Sequence, residues 1–338
     1  MSEIRASVTT GGAGAAVRCA IVGLGRIGSL LEDDPLREKP CTHAGAIAAN
    51  PDCELVGGCD CQPERRTRFS ERWDCPAVYA DIDRLLLETR PDILCIATHP
   101  DSHRRMVERA ARHGVAVAVC EKPLAYSMRD ARAIAALHCR RRVTVLTNHE
   151  RRYSADYQNV RRLISQRRFG LLISIRGTLY FGRARRHDQV LLHDGTHMVD
   201  IINFLAAGTL RVRRSLGSMR ARTSSAFLYG TIETLPVVIE VGAQRDHLVF
   251  ELELSFESGR IRIGNGVYTF EQSTESPYYQ GYRSLRAVEL EPIGPTGYFS
   301  GMLTDAVACV TDRQRTPLSS AEDGLASMRV VRAIRSRI

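Results

Sequence analysis

Residues 17–28 read VRCAIVGLGRIG, an apolar run that passes without a break into Gly23, Gly25 and Gly28, a GxGxxG. In such a loop the first glycine permits a tight turn out of a strand. The second lets backbone N–H groups come close to a pyrophosphate, and the third lets the following helix pack on the strand. Arg26 and Ile27, between the last two glycines, belong to the same candidate dinucleotide site. Alone the motif is a weak signal, so its weight rests on its surroundings.

Those surroundings alternate short apolar runs with amphipathic stretches. The runs are CELVGGCD (53–60), PDILCIAT (91–98), VAVAVCEKP (115–123) and VTVLTNH (143–149). Helix candidates between them are Pro63 to Arg72, Asp101 to His113 and Ser127 to Leu137. Asp101 and Ser102 are placed to cap the second helix and Gly114 to end it. Buried parallel strands joined by crossover helices read this way, so residues 17–150 are expected to form a doubly wound parallel α/β domain. Residues 1–16, with an acidic residue and two glycine clusters, read as a short disordered lead-in rather than a secretory signal.

After a linking helix at about 154–167 the pattern changes. Residues 171–181, 211–218, 225–231, 235–243, 248–256 and 260–270 read as strands, with Glu257 to Arg260 as a turn. A helix at about 193–206 interrupts them, and helices at about 297–312 and 320–335 follow. Residues 151–338 are therefore expected to be an α+β domain with a large, mostly antiparallel sheet packed on helices. Its last helices have the option of packing back on the first domain.

Composition narrows the function classes. A chain of 338 residues can bury two cores, and 44% hydrophobic with 25% charged residues is globular. The absence of a run of about 18 apolar residues argues for a soluble protein with no membrane span. Ten cysteines, among them Cys19, Cys59, Cys95 and Cys120 in candidate core strands, read as reduced and cytoplasmic. Cys59 and Cys61 form a lone CxC with no second pair, which argues against a metal site. The net charge of +9 is spread along the chain rather than gathered in one arm, which argues against nucleic acid. Of 47 basic residues only Lys39 and Lys122 are lysines. Either mutational bias left two survivors, or a compact amine is required where they stand.

Asp60 closes the second apolar run, where a carboxylate accepts a hydrogen bond from an adenosine ribose hydroxyl and repels a 2′-phosphate. NAD is therefore expected over NADP, with Arg65 and Arg66 as the residues that would accommodate a phosphate. Asp60 lies 32 residues after Gly28, farther than the usual spacing. The excess falls in Leu31 to Thr42, an insertion expected between the glycine loop and the first helix. Two readings stand for it: a loop that shapes the active site, or an inert surface loop.

Glu121, Lys122 and Pro123 end the fifth strand at the carboxyl edge, where ligands bind in such sheets. A partly desolvated lysine there, beside a positively charged nicotinamide, can exchange a proton with a substrate hydroxyl. His193, Asp194, Gly195, Thr196 and His197, with Asp200 beyond, open the later helix. A helix beginning near His193 would put His193 and His197 one turn apart on one face, with Asp194 beside them. An HxxxH without a glutamate base or a third ligand is a poor zinc site.

Taken together, AIVGLGRIG, CD, ATHPDSH, CEKP, NHERRY and HDGTHMVD resemble the Gfo/Idh/MocA oxidoreductases, the glucose-fructose oxidoreductase and inositol dehydrogenase family, over about residues 17–335. The resemblance implies a Rossmann domain, a substrate domain on an open sheet, and dimers or tetramers joined through that sheet. It implies NAD(P)-dependent oxidation or reduction at a secondary alcohol of a sugar, cyclitol or related molecule. Lys122 and His197 would assist proton transfer, and Thr98, His99, His103 and Glu121 would join the cofactor site. One departure stands out. The family commonly has an aspartate four residues before the histidine, where this chain has His193, with Asp194 one place later. The third polar group is thus either Asp194 or His193.

Arg151 and Arg152 after the sixth strand, and Arg183, Arg185 and Arg186 before the later helix, are candidates to clamp a carboxylate or phosphate, as in a uronate, sugar phosphate or nucleotide-linked sugar. Solvated arginines in an arginine-rich chain are the alternative. Two other functions stay open: an enzyme that retains its cofactor and cleaves or rearranges a glycoside by transient oxidation, and a non-catalytic nucleotide-binding regulator.

Overall fold

The computed structural model describes residues 15–182, 187–218, 225–290 and 294–335. All but the last two residues of the expected lead-in, and Arg183, Arg185 and Arg186, lie outside the described residues.

The first sheet holds β1 (Val17–Val22), β2 (Cys53–Cys59), β3 (Val78–Tyr79), β4 (Ile93–Ile96), β5 (Val117–Cys120) and β6 (Thr144–Thr147). Its strands run parallel in the order β3-β2-β1-β4-β5-β6, the doubly wound arrangement. Every residue of β4 and β5 is buried, because helices cover both faces of the sheet. These helices are α1 (His43–Ala49), α2 (Pro63–Trp73), α3 (Ile82–Thr89), α4 (His103–Arg112) and α5 (Met128–Cys139). Pro63 opens α2, where a missing N–H costs nothing, and the Ser127 hydroxyl accepts from Asp130 N to cap α5. The expected side-chain cap of α4 is not made. Ser102 Oγ instead donates to Thr98 Oγ1 and His99 O, tying the helix start to the loop after β4.

α6 (Ala155–Ser165) leads into β7 (Leu172–Tyr180). α7 (His187–His193) and α8 (Gly195–Leu205) follow, then β8 (Arg211–Leu216), β9 (Ser225–Ile232), β10 (Leu235–Gly242), β11 (Val249–Phe256), β12 (Gly259–Gly264), β13 (Val267–Glu275) and β14 (Arg283–Val288). The second sheet has eight strands in the order β14-β13-β12-β11-β7-β10-β9-β8, antiparallel except where β7 meets β10. The single strand expected at 260–270 is in fact two. Gly264 pairs with Val267, so Asn265 and Gly266 form a two-residue hairpin turn, with Gly266 at φ 77°. β14 was not anticipated at all, because RSLRAV alternates too weakly to stand out.

α9 (Tyr298–Thr311) and α10 (Ala321–Arg335) return to the first sheet. Phe299, Met302, Leu303 and Ala306 of α9 join the cluster under β1, β4 and β5, while Leu325 and Met328 of α10 pack with α5. The strand-rich half is therefore fastened to the nucleotide half by its own C-terminal helices.

The insertion lies between the glycine loop and α1, as the spacing predicts. Ser29 N donates to Gly25 O and Leu31 N to Arg26 O, so the chain leaves the glycine loop in a run of turns. The carbonyls of Ile27 and Gly28 are then taken by His43 N at 3.1 Å and Ala44 N at 3.0 Å. The start of α1 is thus bonded back to the glycine loop across the excursion, which contains the short 3-10 turn Leu30–Asp33. Glu38 at its far side accepts from Thr296 Oγ1 and Gly297 N, hooking the excursion to the start of α9.

Candidate active site

The glycine loop follows from sterics. Gly23 has φ 93°, and a Cβ there would stand 2.6 Å from the backbone of Ala97 at the end of β4. At Gly28 a Cβ would overlap the carbonyl oxygen of Gly23. Gly25 is different: the nearest atom to its Cβ would be an Arg65 guanidinium nitrogen at 3.4 Å, on the cavity side.

That cavity measures about 760 Å³, within the usual range for a small-molecule site. Gly23, Gly25, Arg26, Ile27, Asp60, Thr98 and His99 line it. Asp81, Ile82, Met106 and Arg109 line its outer end, which the sequence did not single out. Asp60 is buried and accepts from Leu24 N and Gln62 N, both at 2.9 Å, so its carboxylate holds the glycine loop to the end of β2. Arg65 reaches the same carboxylate at 3.4 Å, and Arg66 donates to Asp60 O.

His103 and Glu121 sit otherwise than expected. The His103 ring is fully buried between Thr98 O and Leu124 O, so it shapes the wall behind the cavity without lining it. Glu121 turns its carboxylate inward, where Oε1 accepts from Asn148 Nδ2 at 2.6 Å and lies 3.0 Å from His43 Nε2. Burial alone would raise the pKa of Glu121, but the His43 and Asn148 hydrogen bonds and the nearby Lys122 charge hold it below the usual range. His43 is raised to about 10, since Cys95 and Glu121 outweigh the opposing effect of its burial. His43 is the first residue after the insertion, so the insertion's end buttresses the loop that carries Lys122.

Lys122 Nζ donates to His193 O at 3.1 Å and lies 3.9 Å from Asp194 Oδ1. The helix expected to open at His193 instead breaks there. His193 ends α7, Asp194 stands at the N-cap position of α8 without a side-chain cap bond, and His197 lies in the first turn of α8. His193 offers its carbonyl to the lysine, and Asp194 is the carboxylate nearest to it. A one-place shift along a continuous helix would have turned the side chain by about 100°, but the break removes that constraint.

His197 is buried, and Nε2 lies 3.5 Å from Glu150 Oε2. Burial, with the Lys122, His149 and Arg151 charges adding to it, pushes the imidazole well below its usual basicity, so it is neutral at neutral pH. Glu150, in the 3-10 turn Glu150–Tyr153 just after β6, is raised by burial against the pull of Arg151 and Lys122. Beneath them, Asp200 of α8 takes two 2.8 Å bonds from Arg152 and lies 3.0 Å from His149 Nδ1. The His149 and His197 rings meet edge to face with centroids 5.8 Å apart.

Arg152 is not available to clamp a substrate: it is buried against Asp200, Asp323 and Leu318 O, joining the turn after β6 to α8 and α10. Arg151 stacks on Phe250 at 3.8 Å from the ring centroid and donates to Asn265. Glu150 and His149 were not singled out for chemistry in the sequence. Their signal was available: NHERRY ends the strand next to the one that ends in EKP, so both runs reach the same sheet edge.

Residues 17–149 match a family model described as an oxidoreductase family with an NAD-binding Rossmann fold. A D-apiose dehydrogenase from Paraburkholderia graminis is 30% identical over 205 residues, 56% of this chain and 52% of that one. An inositol 2-dehydrogenase from Rhizobium meliloti is 28% identical over 154 residues, 46% of this chain and 42% of that one. The chain thus spans about half the length of the curated relatives it matches. Among solved structures, a UDP-N-acetylglucosamine 3-dehydrogenase from Acidithiobacillus ferrooxidans superposes with a TM-score of 0.74 at 17% identity, covering 96% of this chain and 98% of that one. A 3-ketoreductase variant from Actinomadura kijaniata, bound to TDP-benzene and NADP, gives 0.74 at 16% identity over 95% and 97% of the two chains. Residues 17–149, which hold the glycine loop and the strand-end lysine, thus match the Gfo/Idh/MocA oxidoreductase family, and the chain as a whole shares its two-sheet fold with the solved structures.

Proposed function

We propose that this protein is an NAD(P)-dependent dehydrogenase or reductase acting at a secondary alcohol or ketone of a sugar, cyclitol or sugar derivative. The observation that carries the reading is the meeting of Lys122, His197 and Asp194 at the carboxyl edge of the first sheet, next to a cavity built on the glycine loop. Gly25 supports a dinucleotide there, since its open side faces the space a pyrophosphate would fill. When bound, a nicotinamide supplies the hydride acceptor or donor.

The chain's own residues do the rest. Lys122, aimed by His193 O and Asp194, presents an ammonium to the substrate oxygen and stabilises negative charge there. Neutral His197 hydrogen-bonds the same oxygen without competing for its charge. NAD is proposed over NADP because Asp60 lines the cavity as a carboxylate, with Arg65 beside it as the one counterweight at its side-chain oxygens. The relatives named for apiose, inositol and amino-sugar nucleotides support a polyhydroxylated substrate. Self-association through the second sheet is part of the same proposal. Its face turned away from α7 and α8 carries Tyr229 and Val238 beside Arg176, Glu253 and Arg262. Ten unpaired cysteines suit a reducing compartment such as the cytoplasm.

The test is to follow reduced nicotinamide by absorbance with NAD and with NADP across sugars, cyclitols, uronates and nucleotide sugars. Turnover with NAD and a neutral or derivatised polyol is expected. No turnover with any member would sink the dehydrogenase reading, and a clear NADP preference would contradict the role given to Asp60.

A further inference from the structure

Four carboxylates cluster around the reactive end of the site, and three are used by the fold. Asp200 is held by Arg152 and His149, Glu121 by His43 and Asn148, and Asp194, at the N-cap position of α8, lies 3.9 Å from Lys122 Nζ. Glu150 is the exception. Among the described residues its side chain makes no hydrogen bond to another side chain. Its one ion-pair contact there is Oε2 at 3.5 Å from His197 Nε2, with the side chain 23% exposed. A half-buried carboxylate left without structural partners costs stability, and such groups concentrate where chemistry needs them.

The 3.5 Å gap is itself informative. It is too long for a strong direct bond, yet an oxygen placed about 2.8 Å from one atom can lie about as close to the other. His197 Nδ1 is buried without a hydrogen-bond partner among the described residues. The tautomer that carries the proton on Nε2 buries a bare lone pair there rather than an unmet N–H. Nε2 is then a donor and Glu150 Oε2 an acceptor, both aimed at one point.

From this geometry we infer that Glu150 takes the hydroxyl proton of the substrate alcohol, while His197 Nε2–H and the Lys122 ammonium donate to the same oxygen. The inference rests on the dehydrogenase reading and relocates its base. In the oxidation the O–H bond breaks and its proton passes to Glu150 Oε2. The O–H electron pair becomes the second carbon–oxygen bond, and the hydride leaves carbon with its own pair for the bound nicotinamide. The exposed part of Glu150 returns the proton to solvent, and reduction runs the same path backwards. The charged and titratable groups facing Glu150 are Lys122 and Glu121 from the loop after β5, Arg151 on its own turn, His197 of α8, Tyr157 of α6 and Tyr298 of α9. Burial raises Glu150 against the pull of Arg151 and Lys122, the direction that suits a general base.

Glu150→Gln, compared with wild type on whichever neutral polyol of the panel is turned over, tests this. The expected result is a fall in kcat of about 10²–10⁴-fold and loss of the ascending limb of the kcat–pH profile in oxidation, with NADH affinity unchanged. Thermal unfolding at pH 8 should be unchanged or higher in the variant. A carboxyl infrared band, taken as wild type minus variant, should titrate above the usual glutamate range. A variant that keeps the ascending limb and at least a third of kcat overturns the proposal, as does an infrared band in the ordinary range. A fall in activity accompanied by a lower melting temperature and lost NADH binding also overturns it, since Glu150 would then be structural. If wild type turns over no panel member, the dehydrogenase reading fails first and takes this role with it, whatever the infrared band does.

Discussion

The two ends of the site are built in opposite ways. The nucleotide end comes from one stretch of backbone: Gly23 turns against Ala97, Gly28 lies on Gly23, and Asp60 ties down Leu24 N. The reactive end is made of side chains delivered by four separate segments. Lys122 follows β5, Glu150 follows β6, and Asp194 and His197 begin α8, with His43 behind them. Sterics impose the first arrangement, whereas packing between the two halves of the molecule imposes the second. Substitutions should therefore separate binding from chemistry.

The largest separation is expected at Lys122. In Lys122→Met, kcat should fall by about 10²–10⁴-fold while the affinity for NADH, from fluorescence titration, stays within about threefold. The reason is that Lys122 is bonded to His193 O and lies outside the residues that line the cavity. If NADH binding collapses as well, the two ends are not independent and the comparison breaks.

A pair of glycine variants probes the other end. Gly28→Ala pushes a Cβ into the Gly23 carbonyl, so it should lower stability by about 1–3 kcal/mol in urea unfolding. Gly25→Ala meets only the movable tip of Arg65 at 3.4 Å, so its stability should be unchanged within about 0.5 kcal/mol. Its NADH affinity should nevertheless fall at least about tenfold, because the methyl group occupies the approach of the pyrophosphate. Equal destabilisation by both would mean that Gly25 is also a packing glycine.

The same contrast explains what the sequence could disclose. GLGRIG is legible because local sterics demand glycine at fixed spacing, and β4 and β5 because strands covered on both faces must be apolar throughout. EKP was legible from its place at a strand end. The break between α7 and α8 was not, since His193 to His197 fits a continuous helix equally well by spacing, and only the fit against Lys122 places the N-cap position at Asp194. Arg152 and Asp200 lie 48 residues apart, and neither type of residue announces burial until the other is found beside it. The Asn265-Gly266 turn is a different kind of failure. Its dipeptide is a strong hairpin signal that the apolar residues on either side concealed.

The smallest effect sharpens the account of the reactive end. His197 is held neutral in the folded chain, whereas an unfolded histidine titrates near 6.5. Above that pH neither state carries the proton, and His197 adds no pH dependence. Below it the unfolded chain takes up a proton that the folded chain refuses, so stability falls as pH falls, by at most about 1.4 kcal/mol per unit. Glu150, whose folded value is raised, acts with the opposite sign, gaining stability as pH falls towards its unfolded value. The measurement is therefore cleanest in a Glu150→Gln background. There, His197→Asn should reduce the stability lost between pH 7.5 and pH 5.5 by about 1 kcal/mol in urea unfolding. An unchanged loss would mean that His197 accepts a proton in the folded state. The imidazole would then be charged beside Lys122, and the assignment of Nε2 as a neutral donor would fall.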